Sequence, residues 1–114
     1  MAPESAPRTV VVTGGAAGIG RGAVERFVAA GDRVIALDRD AEALAALERE
    51  LGGSRAEDAG RVGRVQVDVS DRAALASAAE QIGAVDVLVC AAGVQRYGTV
   101  VDTPYSVYDE VMAV

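Results

Sequence analysis

Along this chain, continuous apolar runs alternate with segments whose apolar residues recur at helical spacing. Thr9-Val10-Val11-Val12 is a β-branched run without polar interruption, the pattern of a strand buried on both faces. Past a glycine-rich turn, Ile19, Ala23, Phe27 and Ala30 recur at helical spacing with Arg21, Glu25 and Arg26 between them. Gly31 then stands where a helix stops. Residues 33–38, with Val34-Ile35-Ala36-Leu37 inside, predict a second strand, and Asp40 caps a second helix whose apolar face is Leu44, Leu47 and Leu51. Residues 52–63 mix glycine, serine and charge without period and predict a surface loop. A third strand is expected over residues 64–68, and Ser70 or Asp71 caps a third helix carrying Leu75, Ala78, Ala79 and Ile82. Residues 85–91 predict a fourth strand, and Thr103-Pro104 opens a fourth helix through Val107, Val111 and Val114.

Strands and helices in strict alternation predict an α/β fold: a Rossmann-like, doubly wound parallel sheet of about four strands and four helices with right-handed crossovers. Residues 1–8, with two prolines and no period, read as a flexible lead-in, and residues 9–114 as one continuous Rossmann-like portion.

Composition removes several chemistries. Of 114 residues, 17 are acidic and 11 basic, a formal charge of −6, which disfavours binding to phosphate backbones or anionic membranes. Neither nucleic acid nor a membrane is an expected partner, and the longest apolar run, residues 9–20, is too short and glycine-rich to span a bilayer. All the bases are arginine, and the chain has no histidine. Histidine-based triads, imidazole-ligated zinc, Schiff bases and a P-loop lysine are therefore excluded within it. The single Cys90 permits no internal disulfide, and with a short acidic start unlike a leader peptide this predicts a reducing, cytoplasmic setting. No metal site is expected. Cys90 itself reads as a buried apolar residue rather than a reactive thiol.

The richest chemistry lies between the first strand and the first helix, in Thr13-Gly14-Gly15-Ala16-Ala17-Gly18-Ile19-Gly20. Glycines there let the backbone turn and approach a pyrophosphate, which would sit on the N–H groups at the positive end of the helix. The spacing parses as T-G-x-x-x-G-x-G, with Gly14 making the turn, Gly18 allowing close approach of phosphates and Gly20 letting the helix pack against the sheet.

This segment resembles the short-chain dehydrogenase/reductase family in its single-domain branch, from about Thr9 to the last residue. The resemblance implies that Gly14, Gly18, Ile19 and Gly20 hold the pyrophosphate side of a nicotinamide dinucleotide. Asp38, ending the second strand, would accept hydrogen bonds from the adenosine ribose and repel a 2′-phosphate, which implies NAD over NADP. Ala17 agrees, because NADP-preferring relatives often carry a base there, whereas Arg39 beside Asp38 favours a phosphate. Asp68-Val69 is similar to the pair that contacts adenine. Cys90-Ala91-Ala92-Gly93 is similar to an N-N-A-G segment, with Ala92 and Gly93 keeping its backbone role and Cys90 and Ala91 in place of both asparagines.

The family transfers hydride between a nicotinamide and an alcohol or carbonyl substrate, using a serine, a Tyr-x-x-x-Lys pair and a helix asparagine. Tyr97, Tyr105 and Tyr108 belong to no such pair, since there is no lysine, so no catalytic residue is assigned and the 114-residue chain alone is expected to be inactive. Residues 108–114 are similar to the stretch just before the helix asparagine, so the sequence is expected to cover only the cofactor-binding part. With strand order 3-2-1-4, the fourth strand would be left as an apolar edge. Relatives often associate through the helix that starts at Thr103, which implies a homo-oligomer. The rival reading is a truncated, non-catalytic dinucleotide-binding module. A Rossmann-like methyltransferase fits the glycine spacing poorly.

Overall fold

The computed structural model describes residues 7–51, 62–93, 106 and 112–113. Its elements alternate as expected: β1 (Thr9–Thr13), α1 (Gly18–Ala29), β2 (Arg33–Asp38), α2 (Ala41–Leu51), β3 (Val62–Gln66), α3 (Arg72–Ile82) and β4 (Val87–Cys90). The strands form one parallel sheet in the order β3-β2-β1-β4. In register, Val10 faces Val34 on one side and Val87 on the other, and Val34 faces Val62.

Burial on both faces of β1 is what its uninterrupted valines predict, because successive side chains leave a strand on opposite sides. Val10 and Val12, with Val34 and Ala36 of β2, pack against Val24 of α1 and Leu44 and Leu47 of α2. Val11, Ile35 and Leu37 face the other way, onto Val67, Leu75 and Ile82 at α3. The first layer is the tighter, with Val10, Val12, Val24, Val34, Leu44 and Leu47 all less than 2% exposed. Each such side chain contributes about 1.5–3 kcal/mol of burial free energy.

The helix ends follow local chemistry. α1 closes in a Schellman motif, in which the Gly31 N–H bonds the Val28 carbonyl and the Asp32 N–H bonds the Phe27 carbonyl, with Gly31 at φ +92°. Asp40 caps α2 by accepting from the Ala43 N–H at 3.0 Å. At α3 the cap is Asp71, which accepts from Ala74 at 3.1 Å, while Ser70 bonds Asp68 instead.

Four expectations are corrected. The third strand runs two residues earlier than its pattern suggested, because pairing of Val62 and Gly63 with Val34 and Ile35 draws the supposed loop end into the sheet, and Val67 and Asp68 lie beyond it. The fourth strand is shorter, since its pairing with β1 runs only from Val87 to Cys90. Ile19 is 87% exposed, so the buried side of α1 is carried by Gly20 and Val24 rather than by a stripe starting at Ile19. Cys90 is exposed, because among the described residues β4 pairs on one side only.

Of the lead-in, Arg8 is anchored rather than flexible, through an ion pair with Asp32, while residues 1–6 lie outside the described residues. Ser106, Met112 and Ala113 are helical. The rest of the expected fourth helix, and Tyr97, Tyr105 and Tyr108, lie outside the described residues. No described helix is long and apolar enough to cross a membrane.

Candidate functional site

Where β1, β2 and β4 end side by side, a cleft of about 210 Å³ opens, lined by Gly14, Ala17, Leu37, Asp38, Arg39, Val67, Asp68, Val69, Ala91, Ala92 and Gly93. Parallel strands put all their C-terminal ends on one edge, so loops far apart in sequence meet there. Six of the expected site residues, Gly14, Asp38, Asp68, Val69, Ala92 and Gly93, line this one cleft. Gly18, Ile19 and Gly20 do not line it and continue from Ala17 as the first turn of α1.

The glycine-rich loop is built by close backbone contacts. Gly14 takes φ +66°, and a Cβ on it would lie 2.7 Å from the Ala92 nitrogen, so glycine is what allows the segment after β4 to approach the loop after β1. A Cβ on Gly20 would overlap the Gly14 carbonyl oxygen. Its packing partner is thus the loop's own backbone, not the sheet as the sequence suggested. Gly18, at φ +58°, faces open space, which fits close approach by a ligand.

Backbone accounting separates this helix start from the others. The Gly14 and Gly15 N–H groups both donate to the Leu37 carbonyl, at 2.7 and 3.2 Å, and Ala16 donates to Asp38 Oδ2 at 3.2 Å. The first helical bond of α1 is donated by Arg21 to the Ala17 carbonyl. That leaves the N–H groups of Ala17, Gly18, Ile19 and Gly20 as the four that a helix cannot pair internally. Ala17 supplies no side-chain cap, and no acid stands in the first turn. Together these are four amides and a helix dipole with no compensating anion among the described residues, beside a cleft.

The two carboxylates in the cleft differ in their surroundings. Asp38 Oδ1 accepts from the Asp40 N–H at 3.1 Å, so each of its oxygens holds one backbone amide. Asp68 Oδ1 accepts from both the Ser70 hydroxyl, at 2.7 Å, and the Ser70 N–H, at 3.0 Å. The Ser70 hydroxyl first, then its amide, with Arg39 adding a weaker attraction, hold the Asp68 carboxyl below the usual carboxylate range. Asp68 Oδ2 meets no donor among the described residues. Arg39, whose carbonyl accepts from Gln66 Nε2 at 3.3 Å, lines the cleft between the two acids.

One working residue was not singled out from the sequence. The Thr13 hydroxyl accepts from the N–H groups of Ala91 and Ala92, at 3.2 and 3.4 Å, and donates to the Val89 carbonyl at 3.5 Å. It fixes the Ala92-Gly93 wall against the glycine loop, in a chain where Cys90 and Ala91 offer no amide side chain to do so. Its signal was its place as the last residue of β1 before Gly14. Beside β4 a second, wider groove of about 660 Å³ is lined by Ile82, Val85, Leu88 and Cys90 among others, which is where the exposed cysteine opens. Among the described residues no group of His, Cys, Asp or Glu could hold a metal ion.

Comparisons with known proteins agree with this geometry. The model of the family described as short chain dehydrogenase matches residues 8–114. The 2-(R)-hydroxypropyl-CoM dehydrogenase of Xanthobacter autotrophicus is 42% identical over 114 residues, covering 94% of this chain and 44% of that protein. The 2-dehydro-3-deoxy-L-rhamnonate dehydrogenase (NAD(+)) of a Sphingomonas species is 42% identical over 98 residues, covering 82% of this chain and 36% of that protein. Among solved structures, a short-chain dehydrogenase from Streptomyces avermitilis superposes with a TM-score of 0.78 at 30% identity, over 96% of this chain and 39% of that one. The closed form of serine dehydrogenase complexed with NADP+ gives 0.80 at 29% identity, over 92% and 42%. The chain thus spans less than half the length of these relatives. Because the family model runs from Arg8 to Val114, nearly the whole chain, the chain belongs to the short-chain dehydrogenase family.

Proposed function

We propose that these residues bind NAD as the cofactor part of an oxidoreductase that moves a hydride between the nicotinamide and an alcohol or carbonyl substrate. The observation that carries this is the uncapped start of α1, where the amides of Ala17, Gly18, Ile19 and Gly20 await an anion beside Asp38 and Asp68. In this reading the dinucleotide pyrophosphate caps α1, and Asp38 takes the adenosine ribose hydroxyls. Asp68 Oδ2 takes the adenine amino group, Val69 packs on the ring, and the Ala92-Gly93 backbone flanks the middle of the cofactor. The bound nicotinamide supplies the hydride chemistry, while the chain supplies position and charge.

Preference for NAD rests on Asp38, because a 2′-phosphate placed on the ribose would meet its carboxylate, against which Arg39, also lining the cleft, acts in the opposite sense. The chain carries no lysine and hence no Tyr-x-x-x-Lys pair, so alone it is expected to bind dinucleotide without turnover. A reducing cytoplasm and self-association complete the reading.

Fluorescence titration with NADH and NADPH tests it. NADH is expected to bind at least about tenfold tighter, and Asp38→Ala to narrow that gap. Equal affinities in the wild type overturn the NAD assignment, and binding of neither overturns the cofactor site.

A further inference from the structure

We infer that Asp38 positions the anion-facing loop, in addition to reading a ribose; the inference rests on the dinucleotide site proposed above. The loop amides of Gly14, Gly15 and Ala16 are all paired to the end of β2, the first two to the Leu37 carbonyl and the third to the Asp38 carboxylate. Ala16 is only 4% exposed, so water is a poor substitute acceptor for its N–H. Residues 15–17 lie between Gly14 at φ +66° and Gly18 at φ +58°, two positions where the backbone turns easily. What the Ala16 amide binds therefore sets how this short segment is oriented, and its orientation aims the amides of Ala17 to Gly20.

The carboxylate is itself held from a second side. Its Oδ1 accepts from the Asp40 N–H, in the residue that caps α2, so Asp38 ties the loop before α1 to the start of the next helix. Each carboxylate oxygen has two lone-pair directions, so a ribose hydroxyl can be accepted while both amides stay bound. The two roles are compatible, and they predict that removing Asp38 weakens ligands that never touch it.

The test uses ADP and 2′,3′-dideoxy-ADP, which lacks the ribose hydroxyls, titrated calorimetrically into the wild type, Asp38→Ala and Asp38→Asn. A ribose contact alone leaves dideoxy-ADP affinity unchanged in both variants. Positioning is expected to weaken dideoxy-ADP by about fivefold or more in Asp38→Ala, the effect of one lost net hydrogen bond. Asp38→Asn has a single acceptor oxygen, which can hold the Ala16 amide only by giving up the Asp40 amide, and is expected to restore part of the dideoxy-ADP affinity lost in Asp38→Ala.

A ligand-free readout accompanies it: exchange of the Ala16 amide is expected to speed up about fivefold or more in Asp38→Ala, while the Gly14 amide, bound to Leu37, holds its rate. Should Asp38→Ala not fold, Asp38→Ser, too short to reach the Ala16 amide, takes its place in both measurements. Unchanged dideoxy-ADP affinity or unchanged Ala16 exchange overturns the inference. A wild type that binds neither ADP nor dideoxy-ADP overturns the dinucleotide reading instead, and Ala16 exchange then decides positioning by itself.

Discussion

The two ends of the sheet are built on opposite terms. At the N-terminal ends of β1, β2 and β4, polar groups are closed against one another. Arg8 forks onto Asp32 through Nε at 3.1 Å and Nη2 at 2.9 Å, Asp86 Oδ2 accepts from the Thr9 N–H at 2.7 Å, and α1 arrives there with its last carbonyls bonded by Gly31 and Asp32. At the C-terminal ends, the same helix begins with four amides that find no partner among the described residues, and Gly14 and Gly20 occupy positions that no side chain could share. One end closes its polar groups on one another and the other leaves a cleft. The difference teaches where to look for function when side chains alone do not mark a site, since unsatisfied backbone is itself a binding group.

The largest break in that contrast is expected from Gly20→Ala. The added methyl would overlap the Gly14 carbonyl oxygen, a backbone atom that cannot swing aside, so either the loop or α1 must move. Overpacking of this kind costs about 3 kcal/mol or more, at the upper end of its usual range. Dinucleotide binding is expected to disappear. Urea unfolding measures the first effect and NADH titration the second, and a variant as stable as the wild type would show that the helix start is not seated on Gly14.

Much of this was legible beforehand. The helix faces at Leu44 and Leu47 follow from period; the strand order and the choice of Asp38, Asp68 and Gly93 came with the family resemblance, and the rule that parallel strands end together puts them beside Gly14. What was not legible depended on partners distant in sequence. Gly63 reads as loop until its place opposite Ile35 is known. Ile19 fits an apolar stripe until the loop is seen to take Gly20 as the buried residue, and Cys90 reads as core because its neighbours are apolar, although β4 pairs on one side only among the described residues. The second duty of Asp38, toward Ala16, is a side-chain to backbone bond across 22 positions that no local pattern records.

A smaller effect, opposite in sign at two helices, sharpens the contrast. Ala17, in extended backbone at φ −152° and ψ 162°, already has the geometry of a capping residue without the side chain. Ala17→Asp is expected to stabilise the ligand-free chain by about 0.5–1 kcal/mol while lowering NADH affinity about tenfold, because the new carboxylate takes the amides a phosphate would use. Asp71→Ala, which removes the cap of α3, is expected to cost about 1 kcal/mol and leave NADH affinity unchanged. Thermal melts with and without NADH separate the two. Tighter NADH binding by Ala17→Asp would mean that the α1 amides do not face the ligand.

The smallest effect concerns the closed end. Bonding to Arg8 lowers the Asp32 carboxyl below its ordinary range despite some opposing desolvation, and bonding to Arg21 lowers Glu50. A carboxyl whose folded pKa is depressed stabilises the fold at every pH above its unfolded value, and that contribution fades as pH falls through the folded one. The melting temperature is therefore expected to be insensitive to these groups at neutral pH and to drop below about pH 4, where unfolded carboxylates begin to take up protons. In Asp32→Ala the drop is expected to be shallower and the neutral-pH melting temperature lower, with Arg8 left over the Phe27 ring, its guanidinium 6.0 Å from the ring centroid. Asp32 lies at the end of the sheet away from the cleft, so NADH affinity at neutral pH should be the same in this variant as in the wild type. A loss of affinity there would mean that the two ends are coupled through α1, which runs from one to the other.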